Sequence, residues 1–162
     1  MLLFITLVVT QAALGFAYVL QLRGAIADKY WGNITAPSRP YYLWCALAAY
    51  VLNLGLVAHF VVDDGASAWH RGALVGGMIL YYGLQIGFLP MLKEAVSSQK
   101  KGAVRCLLAA CVVPMAVILM AGLHRAVELD VRTLRGFALA AAAILPFAHV
   151  LVNDFILFGD RF

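Results

Sequence analysis

Long apolar stretches alternate with short polar ones along the 162 residues of this chain. The apolar stretches cover residues 2–22, 41–62, 72–92, 106–123 and 136–158, and their only Lys, Arg, Asp or Glu is Asp154, near the end of the last. A bilayer core about 30 Å thick is crossed by roughly 20 helical residues, each rising about 1.5 Å. In hydrocarbon the backbone N–H and C=O groups must find partners within their own segment, which selects helices. The pattern therefore predicts an all-α integral membrane protein, a single domain over residues 1–162 built as a bundle of five transmembrane helices.

Composition agrees with this pattern. Hydrophobic residues make up 64% of the chain and charged residues 12%, about half the share of an ordinary soluble domain. The longest connection, 23–40, is too short for a soluble domain, so any site must lie inside the bundle or at its rim. The formal charge is +4, but the basic residues cluster at the ends of the apolar stretches. They read as topology signals and headgroup contacts, with the bilayer and not nucleic acid as partner. Eight Lys and Arg lie in the first and third connections and the tail, against four in the second and fourth. That bias predicts an N-terminus outside and a C-terminus in the cytoplasm. Ala25-Ile26-Ala27 resembles a signal cleavage site, but no basic region precedes the first stretch, and retention as a span is expected. The sequon Asn33-Ile34-Thr35 falls in a loop expected to be cytoplasmic. Cys45, Cys106 and Cys111 match no zinc spacing and are expected to pack as small apolar residues.

Two patterns within the stretches carry further meaning. In the third, Gly72, Gly76, Gly83 and Gly87 fall within about 60° of one another at 100° per residue. Such a stripe lets another backbone come close. Packing inside the bundle is the expected use, and a second copy of the chain (a homodimer) is the other. Four stretches also place an amide or imidazole near the midplane: Gln11 and Asn53 about 14 Å below the outer helix ends, Gln85 and His149 about 20 Å. These side chains serve either as hydrogen-bonding glue between helices or as the polar floor of a ligand cavity. Pro90, Pro114 and Pro146 are expected to kink their helices. His149 and Asn153 share a face, and Asp154 is expected to pair with a basic residue such as Arg39 at the cytoplasmic end.

No nucleophile elbow, phosphate loop, HExxH helix or pair of general acids is present. His59, His70, His124 and His149 are spread along the chain and are not expected to cluster. No catalytic residue and no metal site is assigned on sequence, and no cofactor is required.

The segment Tyr30-Trp31-Gly32-Asn33-Ile34-Thr35-Ala36-Pro37-Ser38-Arg39-Pro40 resembles the tryptophan- and proline-rich loop of the translocator protein family, the tryptophan-rich sensory proteins. Tyr82-Gly83-Leu84-Gln85-Ile86 is similar to that family's Tyr-x-x-Gln-Leu segment, and Leu145-Pro146-Phe147 to its Pro-Tyr segment. The family's Asn-Trp-x-Trp run is replaced by Gly87-Phe88-Leu89-Pro90-Met91, and the loop's lysine and second tryptophan are missing. The resemblance implies five helices around a pocket for a tetrapyrrole or sterol. The leading functional expectation is a non-enzymatic protein that binds or moves a small hydrophobic ligand (tetrapyrrole, sterol or lipid) between its helices, with Gln11, Asn53, Gln85 and His149 as polar contacts. The alternative is an accessory or assembly subunit of a larger membrane complex.

Overall fold

The structure, a computed structural model, describes residues 2–22, 35–98 and 101–158. Helix α1 spans Leu2–Leu22. A single 3-10 turn, Ala36–Ser38, leads into α2, Arg39–Val62. Pro40 sits in the first turn of α2, where the N–H it lacks would have no intrahelical acceptor. Helix α3 runs over Ala68–Ser98, α4 over Lys101–Glu128, and α5 over Leu134–Ala148. Residues His149–Phe158 continue α5 as a π-helix. This widening begins three residues after Pro146, whose missing N–H interrupts the ladder. The His149 N–H is shared between the carbonyls of Leu145 and Pro146.

All five apolar stretches are helical over their described residues, and several helices run past them into the charged ends. The third connection is thereby much shorter than expected, because α3 continues to Ser98 and α4 starts at Lys101. Among the described residues, three segments are long and apolar enough to cross a membrane: Ala36–Val62, Gly102–Glu128 and Leu134–Ile156. Large apolar side chains also cover the outside, among them Trp44 and Val51 on α2, Ile79 on α3, Val113 and Met120 on α4 and Phe137 on α5. An outward-facing apolar surface of this extent fits a helical membrane protein.

Helix α4 forms the centre. It packs most extensively on α3 and α5, α2 lies against α5, and α1 rests on α3 and α2. The core runs through Leu56, Val57 and Phe60 of α2, Met78 and Tyr82 of α3, Cys111, Met115 and Ile118 of α4, and Leu139 of α5. The spacing of the α4 residues, three or four apart, puts them on one helical face.

Gly77 and Gly122 let neighbouring helices pack where a Cβ would collide. A Cβ on Gly77 would stand 2.7 Å from Ile118 Cγ1 and 3.1 Å from the Pro114 carbonyl oxygen. A Cβ on Gly122 would stand 2.5 Å from the Cβ of Ala143. Gly77 thus seats α3 on α4, and Gly122 seats α4 on α5. The stripe Gly72, Gly76, Gly83, Gly87 does not do this: a Cβ at any of the four meets no described atom within 4 Å. Among the described residues no partner lies against this stripe, because the buried face of α3 (Leu74, Met78, Tyr82, Gln85, Phe88) lies on the opposite side.

Candidate functional site at one rim of the bundle

The polar residues singled out from the sequence divide into two groups. Three of them meet along the buried face of α3. The Tyr82 hydroxyl donates to Gln11 Oε1 at 2.6 Å, and Gln11 Nε2 donates to the Tyr50 carbonyl at 3.4 Å. Asn53 Nδ2 donates to Met78 Sδ at 3.6 Å, and Gln85 Nε2 to Cys111 Sγ at 3.6 Å. Met78, Tyr82 and Gln85 are four and three residues apart, so α1, α2 and α4 each find a polar or sulfur contact on one stripe of α3. Asn53 Oδ1 is buried and has no hydrogen-bond partner among the described residues.

His149 stands apart, in the π-helical segment. Its Nδ1 lies 2.8 Å from Asn153 Nδ2, which bears out the shared face, and its Nε2 lies 3.6 Å from Asp154 Oδ1. The Tyr42 hydroxyl donates to Asp154, and the Tyr42 ring lies 5.4 Å from that of His149. Among the described residues the partners of Asp154 are Tyr42 and His149, where the sequence suggested Arg39. Cys45, Cys106 and Cys111 are free thiols. Residues 23–34 of the first connection, with the cleavage-like site, most of the sequon and the Tyr30–Ile34 half of the loop motif, lie outside the described residues.

Among the described residues, a denser polar cluster lies where the second and fourth connections meet. Helix α2 ends at Asp63, whose N–H donates to the His59 carbonyl at 2.9 Å. The chain turns through Asp64 and Gly65 and starts α3 after Ser67. Ser67 Oγ accepts from the His70 N–H at 3.3 Å, and the Ser67 N–H reaches His70 Nδ1 at 3.2 Å. This reciprocal pair is a capping box in which an imidazole occupies the usual Glu or Gln position. It fixes the buried His70 ring with Nε2 pointing at His124 Nδ1, 3.0 Å away. His124 and Glu128, one turn apart on α4, approach within 3.4 Å. The Trp69 ring flanks both imidazoles at 5.0 and 5.6 Å between centroids.

Arg125 joins this group to Asp63. Its Nε and Nη2 grip the two Asp63 oxygens at 2.7 and 3.0 Å, and its Nη1 donates to Glu128 Oε2 at 2.8 Å. Arg135 Nη2 adds a bond to Asp63 Oδ1 at 3.2 Å, and Arg71 Nη2 donates to the Asp63 carbonyl at 2.8 Å. His59 Nε2 stands 3.3 Å from Asp63 Oδ2. Hydrogen bonding from Arg125 outweighs burial and brings the Asp63 carboxyl down from an ordinary 3.8 to about 2. Burial is the main cause lowering the His70 imidazole below its ordinary value, which favours the neutral ring. Gly65 leaves room for the guanidinium, since a Cβ there would stand 2.4 Å from Arg125 Nη2.

Two sequence expectations are corrected here. Three of the four histidines do cluster, because antiparallel helices bring the start of α3 beside the end of α4. The second concerns Arg125, placed by the sequence among the basic residues at the helix ends: it is buried and bonded to Asp63 and Glu128, while the exposed Arg71 and Arg135 also reach Asp63. The i, i+4 pairs His59 with Asp63 and His124 with Glu128 were local signals of this site; the contacts that join them, His70 with His124 and Asp63 with Arg125, span 54 and 62 residues. No protein-family model, no curated protein and no solved structure matches the chain.

Proposed function

We propose that this chain is a five-span membrane protein that works by helix association, as an accessory or assembly subunit docking through the glycine face of α3. The observation that carries this reading is the direction of that face. Gly72, Gly76, Gly83 and Gly87 look away from the bundle, and exposed Ile79, Ile86 and Leu80 flank them as ridges. A groove of this shape admits another transmembrane helix at close range, where dispersion holds the pair in lipid. The paired amides inside the bundle support the same reading, since their hydrogen bonds are largely spent between helices. The meeting of the second and fourth connections supports five spans, since alternate connections of such a chain share a side. The Lys and Arg bias then puts that rim outside and the C-terminus in the cytoplasm.

The test is purification in mild detergent together with oxidative crosslinking of Gly83→Cys in a cysteine-free background. Stoichiometric co-purification of another chain supports the reading, and a crosslinked homodimer identifies a second copy as the occupant. A discrete monomer that neither crosslinks nor carries a partner overturns it.

Asn53 favours a second reading. Its buried, unmet Oδ1 beside Met78 is the kind of polar group that orients an apolar guest. The resemblance to the translocator family points the same way, with Tyr82 and Gln85 on the buried face of α3. A tetrapyrrole, sterol or lipid bound between α2 and α3 would be lost in Asn53→Leu. Failure of the wild type to bind any of these three classes removes this reading.

A further inference from the structure

We propose that His70, His124 and Glu128 form a binding site for a zinc-like divalent cation at the rim of the bundle. One donor atom from each of the three lies within 4.8 Å of the others. The separations are 3.0 Å between His70 Nε2 and His124 Nδ1, 3.4 Å between His124 Nδ1 and Glu128 Oε1, and 3.9 Å between His70 Nε2 and Glu128 Oε2. A tetrahedral ion with Zn–N and Zn–O bonds of about 2.0–2.2 Å holds neighbouring ligands about 3.4 Å apart. These separations, which run to both Glu128 oxygens, lie around that spacing, so rotation of the exposed His124 and Glu128 side chains can bring one donor from each residue onto an ion beside His70.

The donor set selects the ion. Two imidazoles and one carboxylate suit Zn²⁺, Co²⁺ or Ni²⁺ better than Mg²⁺ or Ca²⁺, which prefer all-oxygen shells. Three protein ligands leave a coordination position open. Access is available from solvent, because His124 is 61% and Glu128 39% exposed while His70 anchors the site from within.

The surroundings hold the ligands in place. Ser67 Oγ lies 2.8 Å from His70 Nδ1. When Nε2 takes the metal, the ring proton moves to Nδ1 and Ser67 Oγ accepts it, so the imidazole stays neutral and no proton is lost. The Ser67 N–H gives up its bond to Nδ1 in exchange. Glu128 divides its two oxygens: Oε2 takes Arg125 Nη1, and Oε1 faces His124. Arg125 would repel a cation, but its bidentate pairing with Asp63 offsets that charge. Position i, i+4 on α4 puts His124 and Glu128 on one face, the spacing by which a helix offers two ligands to one ion.

Titration of tag-free, detergent-solubilised protein with Zn²⁺ by calorimetry tests the proposal, with Co²⁺ absorption as a second readout. The expected result is one equivalent bound at micromolar Kd, with visible bands of a four- or five-coordinate Co²⁺ that Zn²⁺ displaces. His124→Ala should weaken binding at least tenfold and abolish the rise in Tm produced by Zn²⁺, while His149→Ala should change neither. Because His124 is exposed, its variant should melt near the wild type without metal; Glu128→Gln provides an independent second case. Wild-type binding weaker than millimolar, or equal binding in His124→Ala and Glu128→Gln, would overturn the site.

Discussion

Arg125 reaches from the last turn of α4 to the residue that ends α2 and holds both oxygens of Asp63. This fork joins two connections that are 62 residues apart in sequence. Both groups are largely withdrawn from solvent, so each depends on the other. Arg125→Met should destabilise the protein by about 3 kcal/mol, the low end for breaking a buried ion pair, since Arg135 still offers Asp63 a partner. Thermal unfolding in detergent measures the loss. A cycle with Asp63→Asn should give a coupling of at least about 1 kcal/mol, and additive effects would contradict a direct pair.

The same pairing sets a pH dependence. The Asp63 carboxyl titrates at about 2 in the folded protein against an ordinary 3.8. A depressed folded pKa contributes stability that is fully present above the unfolded value and lost as pH falls through the folded one. The wild type should therefore lose stability between about pH 4 and pH 2 more steeply than Asp63→Asn, as read from melting curves over that range. Equal slopes would mean that the carboxylate is not held by its cationic neighbours.

Gly76 and Gly77 are adjacent and should respond oppositely to substitution. Gly77→Leu drives a side chain into Ile118 and the Pro114 carbonyl, and should cost at least 1–3 kcal/mol, roughly the penalty for overpacking a core. A Cβ at Gly76 meets no described atom within 4 Å, so Gly76→Leu should leave the stability of the isolated chain nearly unchanged. If association proceeds through the outer face, Gly76→Leu should instead reduce co-purification of the partner. Detergent melting curves and pull-down yields separate the two effects.

Tyr82→Phe removes the donor to Gln11 Oε1 and leaves a buried acceptor unmet. A loss of about 0.6–2 kcal/mol is expected from interhelical hydrogen bonds of this kind. Gln11→Leu alone should cost a similar amount, and the double variant less than the sum of the two. Strict additivity would show that α1 and α3 are not joined at this point.

Topology can be read with single cysteines in a cysteine-free background. Asp64 and Gly102 are both exposed, at opposite ends of α3 and α4. Asp64→Cys and Gly102→Cys should react with an impermeant thiol reagent from opposite sides of the membrane, and labelling of both from one side would exclude the five-span reading.

The helices and their apolar character were legible in the sequence because an uninterrupted apolar run of 20 or so residues has few other solutions. Their ends were less so: α3 and α4 extend into charged sequence, where hydropathy drops but helix propensity does not. The local pair of His149 and Asn153 was also readable, since neighbours at i, i+4 need only the helical period.

Tertiary structure alone decided which residues meet across the bundle. The sequence offered a regular glycine stripe and passed over Gly77, one position from Gly76, although one residue on a helix is a rotation of about 100°. That rotation is the difference between facing α4 and facing away from it, and it is fixed by how α3 packs, not by glycine spacing. The rim site follows the same logic. His70 and Asp63 carry no local sign of partnership with His124 and Arg125, and antiparallel packing of α3 on α4 brings them together because both helices must bury their apolar faces.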